Sequence, residues 1–178
     1  MVTSDGEYPL DALVCATGYD AITSSLNAIA IKDCGGELMR DLWADGPRTY
    51  LGLAVAGFSN LFIVTGPGSS SVFSNMVLSI EHDIEWIGDC IEWMRDNRVA
   101  TNEADAGALD NGVRHVAGIA EGTLFVQANS WYIGANVPGK PRVFMPYLGG
   151  VDSYQAKCRE VAQAVYSGFR TEQARRLS

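Results

Sequence analysis

The chain has 178 residues, 47% hydrophobic and 19% charged, an ordinary globular composition that at roughly 150 residues per domain makes one domain or one and a small remainder. Thirteen basic against 21 acidic residues give a net charge of −8, which argues against a nucleic-acid surface. The longest apolar runs, such as 61–64, fall far short of the roughly 20 residues that span a bilayer. No charged-then-apolar leader follows Met1, so the expectation is a cytoplasmic protein without a membrane partner.

In chain order, 10–16 (LDALVCA) is short and apolar and runs into Thr17-Gly18, the pattern of a buried strand ending in a turn. Residues 21–45 are mixed and punctuated by glycine, more loop than element. The segments 49–56 and 61–65 are further strand candidates, with a turn at 57–60 between them. The strongest helix spans about 75–97. Ile80, Ile84, Ile87, Ile91 and Met94 repeat along one face of it, and Trp86, Cys90 and Trp93 form a second apolar stripe. Glu81, Asp83, Glu85, Asp89 and Glu92 are placed on its exposed remainder, and so wide an apolar face wants neighbours on two sides. Residues 104–122 carry a weaker helical pattern (Leu109, Val113, Val116, Ala120) interrupted by Gly107, Gly112 and Gly118. A strand is expected at 142–148. A helix follows over about 152–168, with Asp152 as its cap, Tyr154, Cys158, Val161 and Val165 as its buried face and Gly168 as its stop. Residues 171–178 are polar and read as frayed.

The chemistry-bearing types are sparse. Cys15, Cys34, Cys90 and Cys158 are widely spaced, and His82 and His115 are the only histidines. A zinc site would need ligands scattered along the chain, so buried free thiols and no metal are expected. Gly66 to Ser71 (GPGSSS) is a glycine-rich turn between a strand candidate and the long helix, a place where backbone N–H groups face an anion or polar ring. With Ser71 where glycine or alanine is needed, it is not a dinucleotide fingerprint. None of the nearby serines sits in a G-x-S-x-G elbow, and His82, between two acids, reads as solvated, so a hydrolase is poorly supported. Residues 129–141 place Trp131 and Tyr132 among glycines and prolines, a composition suited either to a loop closing over a ligand or to a tryptophan anchoring that loop.

The order of A-T-G-Y-D (16–20), G-P-R-T-Y-L-G (46–52), G-P-G-S…S-N-M (66–76) and S-W-Y-I-G-A-N-V-P-G-K-P-R-V-F-M (130–145) resembles the C-terminal part of type I Baeyer–Villiger monooxygenases, in particular their phenylacetone and steroid monooxygenase branch, over about 4–169. The resemblance implies an α/β fold: the C-terminal part of a Rossmann-like FAD/NAD(P)-binding flavoprotein domain, with several helices and a partial sheet. The whole chain is then a single C-terminal fragment (1–178), with a control-loop-like segment at 127–142. It further implies a parent enzyme that uses FAD, NADPH and O₂ to turn a small ketone into an ester or lactone. Thr17 and Gly18 would lie near the cofactors, Asn75 and Met76 at the flavin, Trp131 at the nicotinamide, and Ser71, Val72 and Phe73 against substrate. The family's two G-x-G-x-x-G turns and its arginine for electrostatic stabilisation have no counterpart in these residues, so no catalytic residue is assigned and the fragment alone is expected to be inactive. Ser70 stands where close relatives have proline, and Gly112 near a family tryptophan. The alternative is a stand-alone binding or regulatory module that homodimerises to cover its bare surfaces.

Overall fold

The apolar periodicity over the middle of the chain produces its longest element. In the computed structural model, which describes residues 1–16, 20–70 and 73–174, helix α3 runs Met76–Asp96. It is preceded by a small hairpin of β1 (Val2–Thr3) and β2 (Gly6–Glu7) and by two short helices, α1 (Ser24–Ala28) and α2 (Met39–Leu42). After it come β3 (Val99–Ala104), α4 (Ala106–Glu121), α5 (Val151–Gln163) and β4 (Phe169–Gln173).

β3 and β4 pair antiparallel, with Asn102 opposite Thr171 and Ala104 opposite Phe169. α3 and α5 pack together on this ribbon, and the main core gathers Trp86, Cys90 and Met94 of α3, Leu109 of α4, and Tyr154, Cys158 and Val161 of α5 around Tyr50 and Leu53. The Trp86 indole N–H donates to the Cys158 carbonyl at 2.9 Å, so the largest core side chain is also satisfied in its one polar group. A smaller cluster of Met39, Trp43, Val55, Phe58 and Ile63 roots α2.

Several expectations change. The buried row of α3 is Ser79, Asp83, Trp86, Cys90 and Met94, whereas Ile84 and Ile91 stay 55% and 52% exposed. α5 and β3 cover one flank of the wide apolar face, the one that carries Trp86. Asp83 is therefore buried, not solvated. The apolar segment 10–16 is not a strand, and Leu10, Leu13 and Val14 are exposed, because no strand among the described residues pairs with it. Residues 49–56 are buried but turned rather than extended: Leu51 and Gly52 have φ of 58° and 73°, which reverses the chain and leaves a single Tyr50–Ala54 bridge. Residues 61–65 and 142–148 likewise carry isolated backbone hydrogen bonds instead of ladders.

At the C-terminus the polar stretch expected to fray is β4 up to Gln173; 175–178 lie outside the described residues. α5 is capped at Gly150 rather than Asp152 and ends at Gln163. Val165, with φ of 58°, turns outward instead of extending the buried face. β3 was missed because VATNEA carries one strongly apolar residue; its inward residues Asn102 and Ala104 are polar and small. Of the four cysteines, Cys90 and Cys158 are buried and Cys15 and Cys34 exposed. Burial pushes both inner thiols up to about 12, which makes them inert packing groups at neutral pH.

Candidate functional site

The glycine-rich turn ahead of α3 is held backbone against backbone. A Cβ on Gly52 would stand 2.6 Å from the Ser69 nitrogen, and one on Gly66 would collide with the Gly52 carbonyl; only glycine permits that approach. The Gly68 N–H donates to the Met145 carbonyl at 2.6 Å, and the Tyr147 N–H donates to the Ser69 carbonyl at 2.9 Å. Thr49 Oγ1 donates to the Pro67 carbonyl. The turn is thus clamped between 49–52 and 145–147.

Its exit is fixed as firmly. Ser74 Oγ donates to the Ser70 carbonyl at 2.9 Å, and Asn75 caps α3, its side-chain oxygen accepting from the Val77 and Leu78 N–H groups at 3.0 and 3.4 Å. At the entrance, the Thr65 N–H donates to Asp83 Oδ2 at 2.9 Å. The Tyr154 hydroxyl lies 2.8 Å from the Leu51 carbonyl and 3.2 Å from Asp83 Oδ1, so its single proton serves two acceptors. Desolvation raises the Asp83 carboxyl above its ordinary value, opposed by the Thr65 and Tyr154 hydrogen bonds and by His82. His82 is not solvated either. Its Nε2 is buried and has no hydrogen-bond partner among the described residues, its ring meets Tyr154 edge-on at 5.8 Å, and desolvation lowers its pKa.

An aromatic cluster joins this turn to the tryptophan loop. Phe73 lies 4.9 Å from both Phe125 and Tyr132, centroid to centroid, and Tyr132 lies 4.3 Å from Trp131. Two 3-10 turns, Leu124–Gln127 and Trp131–Ile133, present these rings. Trp131 remains 38% exposed. The far end of the loop is tied by Lys140, which pairs with Asp20 and donates to Thr23 Oγ1 at 2.7 Å. Gly134, at φ 71°, lets the loop fold back against the stem of Lys140.

The structure therefore brings Phe73, Asn75 and Met76 to one end of α3 and links them to Trp131 through Tyr132. Thr17, Gly18, Ser71 and Val72 lie outside the described residues. Asp83 and Lys140 were missed as parts of the arrangement, and Tyr132 was singled out with Trp131 but given no role of its own. Asp83 was detectable in principle, since it stands four residues from Ser79 and three from Trp86 on the buried row; Lys140 was not, because its partner is 120 positions away.

No protein-family model matches the chain. It is 42% identical over 170 residues to the phenazine N-monooxygenase of Lysobacter antibioticus, covering 95% of this chain and 31% of that one. It is 39% identical to the cyclohexanone 1,2-monooxygenase of an Acinetobacter species, over 90% of this chain and 29% of that one. Among solved structures, a closed cyclohexanone monooxygenase superposes with TM-score 0.91 at 40% identity, and an oxidised steroid monooxygenase bound to NADP with 0.87 at 44%, each covering 97% of this chain and 32% of its own. The fold is that of about a third of these monooxygenases. More narrowly, the chain is 37% identical over 93% of its length to a Baeyer–Villiger monooxygenase of Pseudooceanicola batsensis, and it spans about a third of the length of the relatives it matches. No helix among the described residues is long and apolar enough to cross a membrane.

Proposed function

We propose that the chain is the C-terminal portion of a cytoplasmic, FAD- and NADPH-dependent monooxygenase that oxidises a small ketone to an ester or lactone with O₂, and that this portion is inactive alone. The observation that carries the reading is the convergence of the α3 first turn, Phe73 and the Trp131 loop on one aromatic cluster. The residues present fit the ring part of a flavin: Met76 is an exposed apolar side chain at the helix start, beside the partly exposed ring of Phe73. When bound, the flavin, reduced by NADPH, supplies the oxygen chemistry. The chain's own residues orient and enclose. Asn75 fixes the helix start and Met76 faces the ring system, with Thr17 and Gly18 near the cofactors. Trp131 offers an exposed aromatic face to the nicotinamide, and Ser71, Val72 and Phe73 shape the ketone pocket.

The test is to sequence the source DNA upstream of Met1 and to assay the product of any open frame for ketone-dependent NADPH oxidation. A frame encoding two G-x-G-x-x-G turns and such an activity supports the reading; a stop codon immediately upstream overturns it. A second reading, a self-associating module, is favoured by the exposed row of Val77, Ile84 and Ile91 on α3. Light scattering separates the two, since a strict monomer removes the module.

A further inference from the structure

A cleft of about 470 Å³ opens between α4, α5 and the 49–52 turn, lined by none of the residues assigned above to flavin, nicotinamide or ketone. Its walls are the rings of Tyr50, Tyr147 and Tyr154, and its mouth carries His115 and Lys157. α4 has glycine where it faces Tyr50: a Cβ on Gly112 would stand 3.6 Å from Tyr50 Cδ2, an ordinary contact that leaves the position open to a side chain. Glycine weakens a helix interior, and here it also removes the side chain that would fill the cleft.

The volume lies within the range of small-molecule sites, and a mostly apolar, aromatic lining with few polar groups is their usual chemistry. Among the described residues Lys157 lines the cleft and no carboxylate does. Lys157 pairs with Glu160 at 3.0 Å, exposed on both sides. Such a pair holds weakly and yields its cation to a better-placed anion. Tyr50 and Tyr154 donate their protons to the Ser167 and Leu51 carbonyls, so they offer ring faces rather than free hydroxyls. Tyr147, 3.0 Å from Ser153 and 3.5 Å from His115, extends the polar rim.

We propose that this cleft is a binding site for a small planar aromatic carboxylate, its ring between the tyrosines over Gly112 and its carboxylate at Lys157 and His115. The proposal does not rest on the flavin reading. Gly68 lies in the cleft wall, so a ligand there backs onto the turn that leads to Phe73.

Isothermal titration of the 178-residue chain with 2-naphthoate and with its neutral analogue 2-naphthamide tests it. The acid is expected to saturate at one per chain and the amide to bind about tenfold more weakly, the scale of one charge-assisted contact. Lys157→Gln should bring the acid down to the amide and leave the amide unchanged, and Gly112→Phe should abolish both. Absence of saturable binding by either probe overturns the proposal. So does a Gly112→Phe chain that melts cooperatively and still binds like wild type. Should that variant fail to melt cooperatively, Lys157→Gln decides: an unaltered ratio of acid to amide overturns the site.

Discussion

Two short stretches at opposite ends of the chain behave against their composition. The apolar segment 10–16 has the pattern of a buried strand and lies exposed and unpaired; the polar TEQ at 171–173 reads as part of a frayed end and belongs to the paired strand Phe169–Gln173. The difference is a partner. Phe169 meets Ala104 across the ladder, packs edge-on against Tyr50 at 5.3 Å, and Arg170 pairs with Glu103. Segment 10–16 has apolar side chains to bury and no described surface to bury them on. Strand formation follows from cross-strand pairing and packing more than from the residues' own preference.

The contrast is broken or sharpened by substitution on either side of it. On the partnered side, Trp86→Ala should cost about 3–5 kcal/mol, as loss of a large core aromatic does, read as a shifted urea midpoint. Lys140→Met should cost less, about 1–3 kcal/mol, because it removes charge-assisted bonds from a half-buried pair and leaves Asp20 uncompensated; earlier proteolysis within 129–141 would show the loop released.

Asp83→Asn tests the buried carboxyl beneath the turn. Desolvation raises the folded-state pKa above 3.8, so the folded chain holds its proton more tightly than the unfolded one. That contribution to stability is complete below the unfolded pKa and is lost as pH rises through the folded one. A neutral amide has nothing to lose, so the variant should gain on wild type in melts run from about pH 4 to about pH 7. A constant difference across that range would show that the carboxyl titrates normally. The smallest effects belong to the unpartnered side: Leu13→Ser and Ile84→Ser should each stay within about 0.5 kcal/mol. A larger loss in either would mean that these side chains are covered in solution.

What was legible in the sequence follows the same division. The long helix and α5 were readable because their signals are local. The family motifs located the turn at 66–70 and the Trp131 loop because they are runs of identity that need no fold to be recognised. The register of α3 was misread because its isoleucines repeat as regularly as Trp86, Cys90 and Met94, and only the arrival of α5 and β3 breaks that tie. Asp83 went to the solvent side by residue type. Its burial depends on Thr65 N–H and Tyr154 hydroxyl donors that lie 18 and 71 positions away. The β3–β4 ladder was invisible for a similar reason, since neither strand is apolar enough to announce itself.

That ladder also sets an order of events. Glu103 and Arg170 are 67 positions apart, and contacts this distant in sequence form late, after the loop between them has paid its closure entropy. During synthesis, β3 emerges with one edge open and no partner until the ribosome has translated past Phe169. For that interval the edge is available to any other extended chain. Yield of the native protein should therefore depend on how quickly translation runs from α4 to Gln173, and on chaperone capacity while it does.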